Sequence, residues 1–372
     1  MAGVPSPDAF GEALRRFPRE RNKKRVVAKR ERRCRSRGEK ENAMKVLSLL
    51  PRSRFTESGM ALPESLSLHF LPPNGSHVLI AAAESAQALL LPPSQPYVDA
   101  FCLERMPSIR FIQTTGAGFD SVDHLTAAEL GIPVSNSPNM NASSVAEYVI
   151  AAIVNLQRGL AWADGEIRRG RYAASRAELL EQGGLELRGC RIGLLGLGNI
   201  GRAVVPLAKA FGCSVAACDA FWPEGFAAEN GVERMDVAEL FAECDVVSLH
   251  CPLNGSTRNL VDYNLLSTMK PHALLINAAR SGVVVEADLA RILAEGRIRG
   301  AALDCFADDG RAENPFLSIP AERVLLTPHL AGVTRAAFGR MLSQALENLE
   351  RVLVHGLPPR FVVNGVLADY SD

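Results

Sequence analysis

The chain has 372 residues, enough for two domains of ordinary size. Its composition, 47% hydrophobic and 22% charged, is that of a globular protein. It contains neither an apolar run near the roughly 18 residues of a membrane span nor an apolar N-terminal stretch of the export type. The zero net charge hides an asymmetry: residues 1–43 hold 14 Lys/Arg against 6 Asp/Glu, which leaves the remainder acidic and argues against nucleic acid in a main cleft.

Residues 1–43 are too basic and too poor in apolar side chains to bury a core, so the segment is expected to be a disordered extension. Its functional readings are a targeting arm or a nucleic-acid contact. Its acidic residues argue against a transit peptide, and a dispensable extension ahead of a folded start at Met44 is the preferred reading. The eight cysteines (34, 102, 190, 213, 218, 244, 251 and 305) include no C-x-x-C pair. With no export signal they read as reduced thiols in a cytoplasmic protein, without a disulfide framework or a metal site.

From Met44 onward, apolar runs alternate with amphipathic stretches, the pattern of parallel α/β architecture. Strands are expected at Lys45–Leu50, His77–Ala81, Ala88–Leu91, Ile109–Thr114 and Ile132–Asn136, with helices around Tyr97–Leu103 and Val122–Leu130. A long helix is expected from Ser143 to about Arg169, capped by Asn141 and Ser143. Its face Val145, Tyr148, Val149, Ala152 and Leu156 reads as core or subunit contact.

A second series of strands follows: Arg191–Leu195, Ser214–Cys218, Asp245–His250, Ala273–Asn277, Gly300–Asp304 and Val324–Thr327. Helices are expected at Ile200–Phe211, Val237–Ala242, Tyr263–Met269 and Glu286–Ala294, with only loop between the last two strands. Six strands at this spacing predict a Rossmann-type doubly wound parallel sheet. An amphipathic helix, Thr334–Leu353, then returns the chain to the first unit. The expected domains are 44–142 with 331–372, a flavodoxin-like α/β unit, and 143–330, the Rossmann-type unit. The chain crosses between them near Pro138–Ser144 and Pro328–Thr334. No further domain is expected after the last helix.

The strand Arg191–Leu195 leads into Gly196-Leu197-Gly198-Asn199-Ile200-Gly201 and then a helix. Gly196 suits the tight turn, Gly198 the close approach of a pyrophosphate, and Gly201 helix–strand packing, with the helix N-terminus facing the phosphates. Asp219 ends the next strand, where a carboxylate accepts hydrogen bonds from the adenosine ribose and repels a 2′-phosphate. No Lys or Arg follows it until Arg234, so NAD is the expected cofactor. His250, ending its strand in HCPL, either borders the cofactor or packs.

Ligands of an open parallel sheet bind at the carboxyl ends of its strands. Arg280, Asp304, Asp309 and His329 all follow such ends and are expected to face the nicotinamide. Reduction of a ketone requires a proton donor at the oxygen, which imidazolium supplies near neutral pH. A guanidinium polarises the carbonyl and binds a carboxylate. A carboxylate beside the histidine favours its charged form. The turn Gly116-Ala117-Gly118 presents backbone amides suited to an anion.

The strings IGLLGLGNIGRAV, DVVSLHCPL, LLINAARSGVVVEADL, GAALDCF and LLTPHLAG, in this order and spacing, resemble the D-isomer-specific 2-hydroxyacid dehydrogenases. That family includes phosphoglycerate dehydrogenase and glyoxylate/hydroxypyruvate reductase. The resemblance implies an NAD-dependent oxidoreductase moving a hydride between nicotinamide and a small D-2-hydroxy or 2-keto acid, bound in a cleft between the two domains. It implies that Arg280 holds the substrate carboxylate and keto oxygen, and that His329 is the acid/base, partnered by an acidic residue of the loop after Asp304. It assigns Gly116, Ala117 and Gly118 to the substrate carboxylate. Asp304 goes to the nicotinamide carboxamide and Ala278, with His250, to the cofactor. Homodimerisation is expected on the same basis.

The family usually carries glutamate before proline where this chain has Asp309-Gly310. Asp309 is the preferred partner of His329, with Glu313 as the alternative. Competing readings are a dinucleotide-sensing corepressor-like protein, a nucleic-acid binder directed by the basic extension, and a formate- or phosphonate-type dehydrogenase. Arg52 and Arg54, after the first strand, suit an extra anionic group on the substrate or are surface residues.

Overall fold

A computed structural model describes residues 43–72, 76–93, 97–307 and 314–366. The basic segment through residue 42 and the loop bearing Asp309 and Glu313 lie outside the described residues. The chain divides into two compact units, one running to Pro138 and resuming at Met341, the other Asn139–Arg340. The divisions expected from the sequence fall at 142/143 and 330/331.

In the first unit β1 (Met44–Ser48), α1 (Arg52–Glu57), β2 (Leu66–Phe70), α2 (Ser76–Ala82), β3 (Ala88–Leu91) and α3 (Ala100–Glu104) come first. They are followed by β4 (Phe111–Thr114), α4 (His124–Glu129) and β5 (Val134–Ser135). The sheet is parallel with order β2-β1-β3-β4-β5, the flavodoxin-like order. Every residue of β3 and β4 is buried, as a sheet covered on both faces requires. Neighbouring residues serve opposite faces. Leu47, Leu89, Leu91 and Ile112 pack with Leu103 and Ala127, whereas Val46, Ala88, Leu90 and Phe111 pack with Phe55 and the end of the chain's last long helix. That helix places Leu342, Ala345, Leu346 and Leu349 on the sheet at helical spacing.

The second unit opens with α5 (Ala142–Arg158), α6 (Leu160–Arg168) and α7 (Tyr172–Gln182). Then come β6 (Arg191–Leu195), α8 (Asn199–Ala210), β7 (Ser214–Cys218), α9 (Glu224–Glu229), β8 (Glu233–Arg234), α10 (Val237–Glu243) and β9 (Val246–Leu249). The remainder is α11 (Tyr263–Leu266), β10 (Leu274–Asn277), α12 (Glu286–Ala294), β11 (Gly300–Leu303), β12 (Val324–Leu326) and α13 (Arg335–Leu353), which continues into the first unit. The order β12-β11-β10-β9-β6-β7-β8, again parallel, is the Rossmann order with a seventh strand. One face is covered by α5 and α8 through Val149, Ile153, Val204 and Val205, the other by α10 and α12 through Leu240, Phe241, Leu289 and Leu293.

Several expectations are corrected. His77–Ala81 is not a strand but most of α2: Leu79 is 6% exposed and Val78 44%, a one-sided burial that suits a helix on the sheet. A short apolar run does not by itself distinguish the two. The strand that does pair there, β2, has Ser and His between its apolar residues and lies at the sheet edge. The long helix ends at Gly159, whose φ of 62° is a left-handed C-cap, and α6 is a separate helix. Helix α5 begins at Ala142, so Ser143 lies inside it, and the Asn141 side chain makes no capping bond. The sheet has seven strands because β8, two exposed charged residues, adds an edge that no apolar pattern marks. A short 3-10 turn, Pro315–Ser318, lies between β11 and β12.

Candidate active site at the carboxyl edge of the Rossmann sheet

The glycine loop stands where β6 ends and α8 begins, beside the switch point between β6 and β9. Gly196 has φ 107°, and a Cβ there would stand 2.8 Å from the His250 carbonyl carbon and the Cys251 amide nitrogen. A Cβ on Gly201 would strike the Gly196 carbonyl oxygen. Gly198 meets nothing within 4 Å and is exposed. Two glycines therefore close the turn and one leaves bare backbone at the N-terminus of a 12-residue helix, an arrangement that fits a pyrophosphate. Asn199 is exposed, and Ile200 packs on the core.

Asp219 braces this loop. Its Oδ2 accepts from the Leu197 amide at 2.6 Å and its Oδ1 from the Phe221 amide at 2.7 Å. Arg202 Nε donates to the Leu197 carbonyl. Each carboxylate oxygen keeps acceptor capacity for a ribose hydroxyl. His250 Nε2 lies 2.9 Å from Ser248 Oγ. The residue is partly exposed, yet its Nδ1 is wholly buried with no partner, and burial pushes the imidazole down to about 4.

Arg280, Asp304 and His329 follow β10, β11 and β12, three adjacent strands of one parallel sheet. The buried Asn277 shapes the arginine loop. Its Oδ1 accepts from the Ala279 amide and its Nδ2 donates to the Arg280 carbonyl, with partly buried Ala278 between them. Arg280 Nη1 donates to the Ala279 carbonyl at 2.8 Å.

Asp304 is 2% exposed, and its carboxylate organises the histidine loop. Oδ1 accepts from the Thr327 hydroxyl at 2.6 Å and the Leu330 amide at 2.8 Å, and Oδ2 from the Ala331 amide at 2.9 Å. The Asp304 carbonyl accepts from the His329 amide at 3.0 Å. His329 itself has φ 53°, a left-handed conformation that costs a non-glycine residue about 1–2 kcal/mol. Three charge-assisted bonds at about 1.5–3 kcal/mol each outweigh that cost. Of the roughly four acceptor sites of a carboxylate, one is then left for a cofactor amide.

Cys305 joins the two loops. Its thiol donates to the Ala279 carbonyl at 3.4 Å and stands 3.9 and 4.0 Å from the two ring nitrogens of the exposed His329. Burial pushes this thiol up to about 11, with the Asp304 charge adding and the Arg280 charge opposing. The arginine loop and the imidazole thus flank one sulfur, although Arg280 and His329 are 49 residues apart in sequence. Sequence reasoning missed Asn277, Cys305, Thr327 and Tyr148, whose hydroxyl lies 2.7 Å from Thr327 Oγ1. Thr327 and Asn277 sit inside motifs that signalled the site, whereas Tyr148 lies 179 residues from its partner and no local pattern marks it.

In the first unit, Gly116 has φ 90° and begins the expected anion turn. All three carbonyls of the turn are engaged: Gly116 by the Ser137 amide, Ala117 by Asn136 Nδ2 and Gly118 by the Thr114 hydroxyl. Among the described residues, the Gly116, Ala117 and Gly118 amides donate to no acceptor. A turn with its acceptors satisfied and its donors unclaimed fits a carboxylate.

Residues 150–331 match the family model of the D-isomer specific 2-hydroxyacid dehydrogenase, NAD binding domain. The chain is 36% identical over 276 residues to (S)-sulfolactate dehydrogenase of Chromohalobacter salexigens, covering 74% of this chain and 87% of that protein. It is 32% identical over 299 residues to D-3-phosphoglycerate dehydrogenase of Mycobacterium tuberculosis, covering 80% of this chain and 55% of that protein, so it spans about half the length of such relatives. Among solved structures, the NADPH-dependent glyoxylate/hydroxypyruvate reductase of Sinorhizobium meliloti in complex with citrate is similar. It superposes with a TM-score of 0.73 at 27% identity over 87% of this chain and 98% of that one. With a Rossmann sheet, a fitting dinucleotide loop and these matches together, the chain belongs to the D-isomer-specific 2-hydroxyacid dehydrogenase family.

Proposed function

We propose that the chain is an NAD-dependent oxidoreductase interconverting a small D-2-hydroxy acid and its 2-keto acid. The observation that carries this reading is the pair of loops flanking Cys305, which brings a guanidinium and an exposed imidazole to one edge of a dinucleotide-binding sheet. When bound, the dinucleotide supplies or accepts the hydride at the substrate's C2. In the reducing direction His329 delivers a proton to the carbonyl oxygen, and in the oxidising direction it accepts one. Arg280 polarises that oxygen and holds the substrate carboxylate. The Gly116–Gly118 amides, in the first unit, are assigned from sequence to an anion.

Asp219 accepts from the ribose and disfavours a 2′-phosphate, so NADH is the preferred reductant over NADPH. Arg234, the first cation after it, is engaged over the Trp222 ring at 5.2 Å. The acidic partner of His329 is assigned from sequence to Asp309, with Glu313 as its substitute; both lie outside the described residues.

We also propose self-association through α6 and α7, where Leu160, Ile167, Tyr172 and Leu180 are each more than half exposed, an apolar concentration that a second copy would cover. A cytoplasmic setting accords with the seven described cysteines, all free thiols. No helix among the described residues is long and apolar enough to cross a membrane.

The deciding experiment is NADH oxidation with glyoxylate, hydroxypyruvate, pyruvate and longer 2-keto acids. NAD reduction with D-3-phosphoglycerate and (S)-sulfolactate, named by the relatives, completes the panel. Turnover of at least one substrate by the wild type and its loss in His329→Ala is the expected result. A protein that binds dinucleotide yet turns over none of the panel would overturn the assignment.

A further inference from the structure

Beyond the residues that meet substrate or cofactor, a chain of hydroxyls runs from helix α5 to the histidine loop. Asp304 is the only member that bonds both Thr327 and the amides beyond His329, and a carboxylate accepts but does not donate. Thr327 must therefore give its proton to Asp304, which leaves its oxygen to accept from Tyr148. The direction of every bond is fixed: Tyr148 donates to Thr327, and Thr327 to Asp304. Ser144, one turn earlier on α5, makes a second tie to the segment after the loop through Thr334 Oγ1 at 2.9 Å.

We infer that Tyr148 is a positioning residue for His329, acting through Thr327 and Asp304 to hold the left-handed turn that presents the imidazole. The Thr327 hydroxyl has only one proton, and its rotor is set by two partners rather than one. Without the phenol it turns more freely, and the Asp304 carboxylate loses a geometrically fixed donor on the oxygen that also holds the Leu330 amide. His329 lies between the two residues so held, and its backbone conformation does not persist unaided. Burial pushes the Tyr148 phenol up to about 12, which keeps its proton in place through the working pH range. The hydroxyl chain ends at Asp304, so it orients the ring and does not carry its proton. Helix α5 thereby acquires a mechanical link to the acid/base.

This inference rests on the proposed role of His329, and the test separates the two. Tyr148→Phe removes one oxygen. It is expected to lower kcat for 2-keto acid reduction about tenfold, with KM and the Kd of NADH unchanged within about twofold. Thr327→Val is expected to lose at least as much, and Thr327→Ser, which keeps the hydroxyl, to retain activity within about threefold of wild type. Tyr148→Phe combined with Thr327→Val should be no slower than Thr327→Val alone, because both break one chain. Unchanged kcat in Tyr148→Phe, or effects that multiply in the double variant, would overturn the inference.

The same variants are read without turnover by the imidazole Cε1–H signals of histidine-labelled protein, with His329 assigned by its loss in His329→Asn. Tyr148→Phe should displace the His329 signal, and Tyr172→Phe, on the exposed α7, should not. A displaced signal in a protein that turns over no keto acid would uphold the positioning role and reject the dehydrogenase reading. An unmoved signal would reject the positioning role whatever the activity.

Discussion

Among the described residues, the loop that carries His329 is held by the carboxylate of Asp304, and the imidazole ring itself meets the Cys305 sulfur. His329→Ala should therefore leave NADH affinity intact and lower kcat by about a thousandfold, the usual weight of a general acid; stopped-flow reduction and fluorescence titration separate the two. Arg280→Lys keeps the charge but loses the planar fork, and kcat/KM should fall by about a hundredfold. Asp309→Asn should lower kcat for reduction about tenfold with NADH affinity unchanged, because the imidazole loses the carboxylate that orients it. An unchanged kcat would remove that role. His250 makes a stability prediction. Its folded value of about 4 lies below that of the unfolded chain, so protons bind the unfolded chain first as pH falls. Its contribution is intact above about pH 6.5 and is lost as pH falls toward 4, amounting to about 2 kcal/mol between pH 7.5 and 5. Urea melts of His250→Gln at those two pH values should show a correspondingly smaller acid-side loss than wild type.

At the scale of elements, the glycine loop works because α8 approaches β6 closely enough that a methyl group on Gly201 would meet the Gly196 carbonyl. Gly201→Ala should lower stability by about 1–3 kcal/mol even in the apoprotein and weaken NADH binding as well, measured by chemical denaturation and titration. Strands β6 and β7 and helix α12 were legible to the residue. Each strand is a short buried run behind one polar residue, Arg191 or Ser214, and is followed by a turn residue, and the helix has a one-sided repeat opened by Glu286. The strand expected at His77–Ala81 is a helix because its four successive apolar side chains satisfy a buried strand and a helix equally, and only the partner surface decides between them. The edge strands β2 and β8 escaped notice for the opposite reason: a strand paired on one side does not need the apolar pattern that identifies its inner neighbours.

At the scale of the whole molecule, exposed apolar side chains on α6 and α7 predict that the protein sediments as a dimer at micromolar concentration. Ile167→Glu with Leu180→Glu should make it a monomer of unchanged circular dichroism. A wild-type monomer under those conditions would remove the proposed interface. Local order along the chain determined most of the architecture, the glycine loop and the placement of Arg280 and His329 after strand ends, because strand periodicity, glycine spacing and strand-end position are properties of neighbouring residues. Only the tertiary structure decided what supports them. That Asp304 binds the histidine loop, that Cys305 stands between two loops and that Tyr148 reaches Thr327 are contacts between strangers in sequence. Such contacts leave no periodic trace, because they are set by which side chains the finished sheet and its covering helices bring within hydrogen-bonding distance.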